Sequence, residues 1–488
     1  MDLKQRTLRG LVTIYLFKLL WMMINFVRSV VVARLLFPED FAIVALAFTF
    51  IYFVEQLFSF GFSKVLIQKK DITDPEIQTA FTLNLFQNII FFIILFVGAP
   101  IFAAFYNKPI IELVVRLLAC EVLFQIIGFI PKVILQKQLK FKEMEMVNFV
   151  GGLVNVIVTI WLALIGFSFW SIVIGSLVGN LIRSIAYMSL SDIKARLVLV
   201  PSIVRQYFKV GLVIYGAAFM TYCNTALETT IVGKLSGLAI LGYYTVARDW
   251  AKYFHVNFFQ YITHVLFPSY AMINDNRKRF KDAVLQTVRY IMPIIVPIYI
   301  GFYIVAPEFI VGVLGNKWTE AIAPFRLLLI SFIFISCNSF LEPLSDAVGK
   351  FEIKLKTSSI RLIMMITFFP LMGFWKGITG YCMALIIIGA SLLLYNYWLI
   401  CVRILSYTWH EFLLVVIKPV IAGIFMSVVL VVLGPTIRCV ISNNIIILFF
   451  KTILGTTLYI GSLLLFDRGL LSGYLSLMYH TIKKEQHA

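Results

Sequence analysis

Long runs of apolar residues recur along almost the whole chain and dominate its pattern. A run of about 20 apolar residues crosses about 30 Å of hydrocarbon as an α-helix, and about fourteen such runs can be traced. Only helices and closed barrels satisfy their backbone hydrogen bonds in lipid, and the alternating pattern of barrel strands is absent. The chain is therefore predicted to be an all-α membrane protein. The predicted spans are approximately 11–32, 41–62, 79–98, 111–131, 147–166, 168–190, 207–232, 238–268, 284–306, 321–346, 357–373, 378–400, 412–433 and 445–466.

A short stretch near the start of the chain returns in altered form about 200 residues later. Ala33–Leu35 corresponds to Gly233–Leu235, and Ala47 corresponds to Ala247. Chance similarity is one explanation, and a tandem repeat of two related helical bundles is the other. The repeat predicts two six-helix bundles related by a pseudo-two-fold axis along the membrane normal. The predicted domains are a first bundle at 1–206, a second at 207–402, and two further transmembrane helices with a cytoplasmic tail at 403–488.

The chain is strongly basic as well as hydrophobic, with a net charge of +18, 61% hydrophobic residues and a mean hydropathy of +0.94. About 25 Lys and Arg residues fall in one set of alternate loops and about 6 in the other, which follows the positive-inside rule. Both termini are therefore predicted to be cytoplasmic. Because topology accounts for the basic charge, no nucleic-acid partner is expected. The first apolar run lacks a small-residue cleavage site, so a retained helix is predicted rather than a signal peptide.

Charged residues inside the apolar runs require a specific reason to be there. Lys or Arg at mid-membrane costs roughly 2.5–3.5 kcal/mol on insertion scales. Arg248 lies about 14 Å into its predicted helix at 1.5 Å per residue, close to the midplane, and Lys252 lies one turn deeper. Other basic residues lie near helix ends and are expected to reach headgroups or water along their aliphatic stems. These are Arg116, Arg183, Arg289, Arg326, Arg361, Lys418 and Lys451.

Polar stripes mark the leading pair of helices in each predicted bundle, where a central cavity would lie. Arg offers a planar fork of donors to phosphate oxygens and Lys offers a point charge, so the basic members fit an anionic substrate. An internal salt bridge from Arg248 or Lys252 to Glu228 or Asp249 is the structural alternative. No metal-ligand spacing, nucleophile motif or phosphate-binding glycine loop occurs, so neither an enzyme nor a cofactor is predicted. The candidate residues are Lys18, Asn25, Arg28, Glu55, Glu228, Tyr244, Arg248, Asp249 and Lys252.

Several segments carry a family resemblance, in matching order over roughly residues 1–380. They are Ala33-Arg34-Leu35-Leu36, Gly61-Phe62, Leu135-Gln136-Lys137, Val265-Leu266-Phe267-Pro268 and Gly315-Asn316-Lys317-Trp318. With them the chain resembles the Wzx-type polysaccharide flippases of the MOP exporter superfamily, in the colanic-acid and exopolysaccharide branch. One departure is Ala42, where the family usually has glycine; Gly242 in the second copy keeps it.

The resemblance implies a MATE/MOP-like fold in the bacterial inner membrane. The substrate would be an undecaprenyl-pyrophosphate-linked oligosaccharide, moved from the cytoplasmic to the periplasmic leaflet by alternating access. Arg248, Lys252, Arg28, Lys18, Tyr244 and Asn25 would line the cavity for the pyrophosphate and sugars. The family is driven by an ion gradient, so Glu55, Glu228 or Asp249 would carry a proton or sodium ion. Membrane lipids, a polysaccharide polymerase and the export machinery are the other partners implied.

Two rival functions stay open at this stage. A membrane polysaccharide polymerase or ligase would act on the same lipid carrier, but such enzymes usually present a large periplasmic loop, which the pattern here lacks. A multidrug or cation antiporter of the same superfamily would take a cationic substrate, which calls for an acidic cavity. The predicted cavity holds more bases than acids, which favours the flippase.

Overall fold

The computed structural model describes residues 3–58, 66–67, 73–190, 196–273, 275–350, 352–404 and 409–467. Over these ranges the backbone is largely helical and forms no β-strand. Eleven of the helices described are long and apolar enough to cross a membrane. The predicted all-α membrane class is therefore confirmed. Gly61, Phe62 and the tail beyond residue 467 lie outside the described ranges.

The chain divides into two compact units, an N-terminal unit of Met1–Thr245 and a C-terminal unit of Val246–Ala488. The division falls inside one long helix, Pro201–Ala251. The domain boundary after residue 206 and the pseudo-two-fold axis stay predictions. The long helices of the N-terminal unit are α1 (Leu3–Leu35), α2 (Pro38–Phe58), α3 (Asp74–Tyr106), α4 (Ile110–Lys137), α5 (Phe141–Leu164), α6 (Trp170–Met188) and α7 (Pro201–Ala251).

The helices α5 and α6 approach each other closely because small residues line both surfaces. A Cβ added at Gly179 would lie 2.8 Å from the Gly151 carbonyl oxygen, and one added at Gly175 would lie 2.0 Å from the Thr159 hydroxyl. Contacts this short need glycine on at least one helix. Small residues allow the close backbone approach on which helix association in lipid depends.

The two copies of the repeated stretch pack against each other within the N-terminal unit. A Cβ at Gly242 would meet the carbonyl oxygen of Pro38 at 2.0 Å, and one at Gly233 would meet Leu46 at 3.0 Å. The turn between α1 and α2 is held by Asp40, whose carboxylate accepts from the Phe37 amide at 2.7 Å and from the Ser168 hydroxyl. Glycine at position 242 is therefore a steric requirement of this packing.

Two of the long helices each contain two predicted spans, which explains part of the difference between eleven helices and about fourteen predicted runs. In α7 the backbone leaves helical geometry at Gly237, where φ is +84°. The helix Glu352–Asn396 breaks at Lys376 and Gly377, where the glycine φ is +58°. Both breaks lie between predicted spans, at positive φ values that glycine adopts without strain.

The C-terminal unit contains the end of α7 and, among the residues described, six further α-helices of twelve or more residues. A π-helix, His255–Phe259, joins α7 to α8. The segment 307–320, which falls between two predicted spans, is a chain of short helical turns, with Trp318 fully buried. The six helices are α8 (Gln260–Ala271), α9 (Arg277–Ile304), α10 (Ile322–Ala347), α11 (Glu352–Asn396), α12 (Trp409–Val440) and α13 (Asn444–Phe466).

The hairpin of α12 and α13 is fixed to the rest of its unit by ion pairs near both ends. At one end Glu308 accepts from Lys451 at 2.7 Å and from Arg438 at 2.9 Å. At the other end Asp467 pairs with Arg289 at 2.9 Å, and with Lys418. Between them a cluster of apolar side chains fills the contact with α9.

One sequence expectation about this hairpin is wrong. Lys451 was expected to extend to the membrane surface, but its side chain is only 6% exposed and bonds to Glu308. The partner comes from 143 residues earlier in the chain, so no local pattern could have indicated it.

Candidate functional site

The predicted site residues fall into three groups, and the first lies at the end of α7 in the C-terminal unit. Asp249 accepts from Lys252 at 2.8 Å, and its Oδ1 lies 3.5 Å from Nε of Arg248. The side chain of Arg248 is 12% exposed, that of Lys252 is 40% exposed and that of Asp249 is 54% exposed. Helical spacing alone brings these three together. Of the alternatives left open by the sequence, the salt bridge to Asp249 is formed.

Two bases of this group lie beside one carboxylate on the last turn of α7. Just beyond this turn the helix widens into the π-helix His255–Phe259, a distortion that is frequent at functional sites. There Nδ1 of His255 lies 3.1 Å from the Ser336 hydroxyl, which is 3.0 Å from the hydroxyl of Tyr299. These contacts fix the end of α7 against α9 and α10.

The second group is a buried pair within the N-terminal unit. The Tyr244 hydroxyl donates to Oε2 of Glu228 at 3.1 Å, and both side chains are buried. The pairing explains how an acid is retained inside an apolar helix, since a buried carboxylate needs hydrogen-bond donors. In this conformation the Tyr244 ring packs inside the unit. Its predicted contact with the substrate stays a prediction.

The third group lies along α1. Lys18 is exposed, and the Asn25 amide donates to the Trp21 carbonyl at 2.9 Å. Arg28 is half-buried, and no hydrogen bond or ion pair joins it to another residue that the structure describes. A guanidinium in an apolar helix without a carboxylate nearby is costly. Its retention therefore favours a ligand that supplies the missing negative charge.

Glu55 belongs to a polar cluster that the sequence interpretation did not assemble. Its charge interacts with that of Lys132 on α4 and with that of Glu121, which lies midway along the same helix. Arg183 on α6 donates to Asn180 at 2.7 Å, and its charge acts on Glu121. Arg183 was expected to reach the membrane surface, and Glu121 was not singled out. An acid in the middle of an apolar run was the signal available for Glu121.

Together the three groups give a chemistry suited to an anion. Each of the first and third groups contains an arginine, and guanidinium groups bind phosphate oxygens through paired hydrogen bonds. Among the residues that the structure describes, no group of three or more His, Cys, Asp and Glu side chains lies together as a metal site would require.

The fold is that of a multi-pass helical membrane protein. The structure is similar to lipid II flippase MurJ in its inward closed conformation, with a TM-score of 0.77 at 14% identity over 94% of this chain and 100% of that one. It is also similar to an inward-facing MATE family multidrug resistance transporter of the MOP superfamily, with a TM-score of 0.60 at 14% identity. That match covers 78% of this chain and 94% of the other.

Sequence similarity makes the assignment more specific. The chain belongs to the polysaccharide biosynthesis protein family, whose model matches residues 31–323. It is 21% identical over 444 residues to the lipopolysaccharide biosynthesis protein WzxC of Escherichia coli, covering 90% of this chain and 89% of the relative. It is 22% identical over 455 residues to the succinoglycan biosynthesis transport protein ExoT of Rhizobium meliloti, covering 93% and 92%. The resemblance found in the sequence is therefore confirmed.

Proposed function

We propose that the chain is a flippase that moves an undecaprenyl-pyrophosphate-linked oligosaccharide from the cytoplasmic to the periplasmic leaflet of a bacterial inner membrane. A pyrophosphate between a polyprenol tail and a sugar chain is too highly charged to cross hydrocarbon unaided. The observation that carries the proposal is the pair of bases at the end of α7, where Arg248 and Lys252 lie on either side of the half-exposed Asp249. The similarity to WzxC and to lipid II flippase MurJ supports it.

The mechanism we assign is alternating access, with binding and release in place of covalent chemistry, so the chain is not an enzyme. Arg248 would hold the pyrophosphate through its donor fork, and Lys252 would add a second positive charge. An ion gradient would reset the protein, with Glu55, Glu228 and Asp249 as candidate carriers of a proton or sodium ion. Both termini would be cytoplasmic, as the distribution of basic residues predicts.

Export in cells tests the role of Arg248. We expect Arg248→Ala to abolish export of the polysaccharide while leaving protein abundance unchanged. Arg248→Lys should restore export only in part, because a point charge does not reproduce the bidentate fork. Lys252→Ala should have a milder effect, since Lys252 is more exposed. Export is measured as surface polysaccharide in a strain that depends on this chain, with membrane abundance measured in parallel.

The matched control is Arg326→Ala, which also removes an arginine from the C-terminal unit. Arg326 donates from Nε to the Tyr303 carbonyl at 3.1 Å, lies over that tyrosine ring and belongs to none of the three groups. Its loss should leave export intact. Full export by a normally abundant Arg248→Ala protein contradicts the proposed role. Low abundance that Asp249→Asn restores would instead assign Arg248 to a structural salt bridge.

A further inference from the structure

A separate cavity of about 620 Å³ opens at one end of the C-terminal unit, the end that the basic loops predict to be cytoplasmic. Two parts of the chain form it: the first turns of α11, and the end of the same helix with the residues that follow it. Lys350 and Lys356 line one wall, and Tyr395, Trp398 and Arg403 line the other. None of these residues belongs to the three groups described above.

The cavity is held open by the backbone around it. Asn396, which is buried, accepts from Thr357 at 2.8 Å and donates to Asn338 at 2.7 Å, so it ties the two ends of α11 to α10. Directly after Asn396 the chain continues as a π-helix, Tyr397–Ile404, whose wider turns carry Trp398 and Arg403. On the opposite side Gly349 reverses the chain at a φ of +75°. The lining is thus attached to fixed elements.

The electrostatics of this cavity favour an anion. Lys350, Lys356 and Arg403 contribute three positive charges, and Glu352 is the acid among the lining residues. Over the described part of the chain, none of the three bases forms a salt bridge. Other basic residues at this end of the unit are paired, as Lys281 is with Glu411 at 2.7 Å. Like charges around one cavity repel, and an anion bound between them removes that repulsion.

The side chains at the edge of the cavity indicate which kind of anion it binds. The guanidinium of Arg403 lies 5.8 Å from the centre of the Trp398 ring, and Trp398 and the neighbouring Leu394 are both exposed. Trp and Tyr concentrate at the headgroup level of a bilayer, and Lys and Arg beside them attract anionic lipids. A soluble phosphate ion would contact the bases but would make no use of the exposed Trp398 and Leu394 side chains. We infer that this cavity binds the phosphate headgroup of an anionic phospholipid from the adjoining leaflet.

Lipid titration of the purified full-length protein tests this inference. Phosphatidylglycerol is added in detergent, and native mass spectrometry reports the lipid-bound fraction; phosphatidylcholine serves as the zwitterionic comparison. The variant Lys350→Gln/Lys356→Gln/Arg403→Gln should bind phosphatidylglycerol at least about tenfold more weakly, because each base near a membrane surface contributes to anionic lipid attraction. Binding of phosphatidylcholine should not change. If the triple variant does not fold, Lys356→Gln alone should weaken binding by a smaller factor.

The matched control removes three exposed lysines elsewhere, Lys140, Lys142 and Lys278, by the same change to glutamine. An equal loss of phosphatidylglycerol binding in this control would show that binding depends on the overall charge, which would overturn the proposal of a defined site. Unchanged phosphatidylglycerol binding by the folded cavity variant also overturns it. Displacement of the lipid by millimolar inorganic phosphate, with no preference for phosphatidylglycerol over phosphatidylcholine, would assign the cavity to a soluble anion and overturn the lipid headgroup.

Discussion

Two clusters in the C-terminal unit have the same composition but opposite environments. Each consists of one carboxylate and two bases: Glu308 with Arg438 and Lys451, and Asp249 with Arg248 and Lys252. In the first, the side chain of Glu308 is completely buried and its partners come from helices more than a hundred residues away. In the second, the acid is about half exposed and its partners lie on the same turn of helix.

The contrast shows how identical charges serve different purposes. Glu308 joins the α12–α13 hairpin to the short helix Ala306–Phe309, and the side chain of Lys451 is only 6% exposed. Burial acts to raise the pKa of the Glu308 carboxyl, but hydrogen bonds from Lys451 and Arg438 outweigh it and the pKa lies below its usual value. Around Asp249 the acid and Lys252 stay accessible, with side chains 54% and 40% exposed, while Arg248 is 12% exposed. The first cluster fastens helices together, and the second is available to a ligand.

The largest effect on stability is expected from Glu308→Ala. This change leaves the buried ammonium of Lys451 without its carboxylate, and breaking a buried ion pair in this way costs about 3–5 kcal/mol. We expect a marked fall in the temperature at which the purified protein in detergent loses solubility on heating. The double variant Glu308→Ala/Lys451→Met should recover much of the loss, because the uncompensated charge is then gone.

Asp249→Ala is the matched control, since it removes the acid of the other cluster. The pair of Asp249 with Lys252 is exposed, and exposed ion pairs contribute about 0–1 kcal/mol, so the thermal stability should change little. Equal losses of stability in the two single variants would contradict the distinction between a fastening cluster and an accessible one.

A smaller effect, with a characteristic pH dependence, is expected at Asp467. Burial acts to raise the pKa of this carboxyl, but the hydrogen bond from Lys418 and the charge of Arg289 outweigh it, and the pKa lies below its usual value. A lowered pKa stabilises the folded state above the unfolded pKa of about 3.9, and the contribution is lost as the pH falls through the folded value. Because Arg289 and Lys418 are largely exposed, Asp467→Asn should cost only about 1 kcal/mol at neutral pH.

Thermal unfolding of the wild type and Asp467→Asn across a pH series measures this contribution. The difference between the two proteins should be constant at neutral pH and should close below about pH 4. A difference that grows on acidification would show that the aspartate is protonated more readily in the folded protein, against the expected direction.

The sequence was sufficient for the parts of the fold that depend on local patterns. Apolar length predicted the membrane helices, and the glycines at 237 and 377 lie at the breaks between predicted spans. The segment 307–320 could not be predicted, because its short helical turns depend on burying Trp318 against the rest of the unit. Length alone indicated a loop there.

The same limit applies to the charged residues. Arg248, Asp249 and Lys252 could be assembled from helical spacing, since their contacts span at most one turn. The environment of Lys451 could not, because Glu308 lies 143 residues away in sequence. The polar cluster of Glu55, Lys132 and Glu121 was missed for the same reason, because it joins separate helices.

The central claim is that the chain moves an anionic lipid-linked oligosaccharide by way of Arg248. Its most direct test uses proteoliposomes containing a fluorescent undecaprenyl-pyrophosphate-linked oligosaccharide, with an impermeant reagent reporting the fraction in the outer leaflet. The wild type should exchange the lipid between leaflets, Arg248→Ala should reduce the rate to that of protein-free vesicles, and Arg326→Ala should match the wild type. Exchange by Arg248→Ala at the wild-type rate, or transport of a cationic dye with no movement of the lipid by the wild type, would contradict the account.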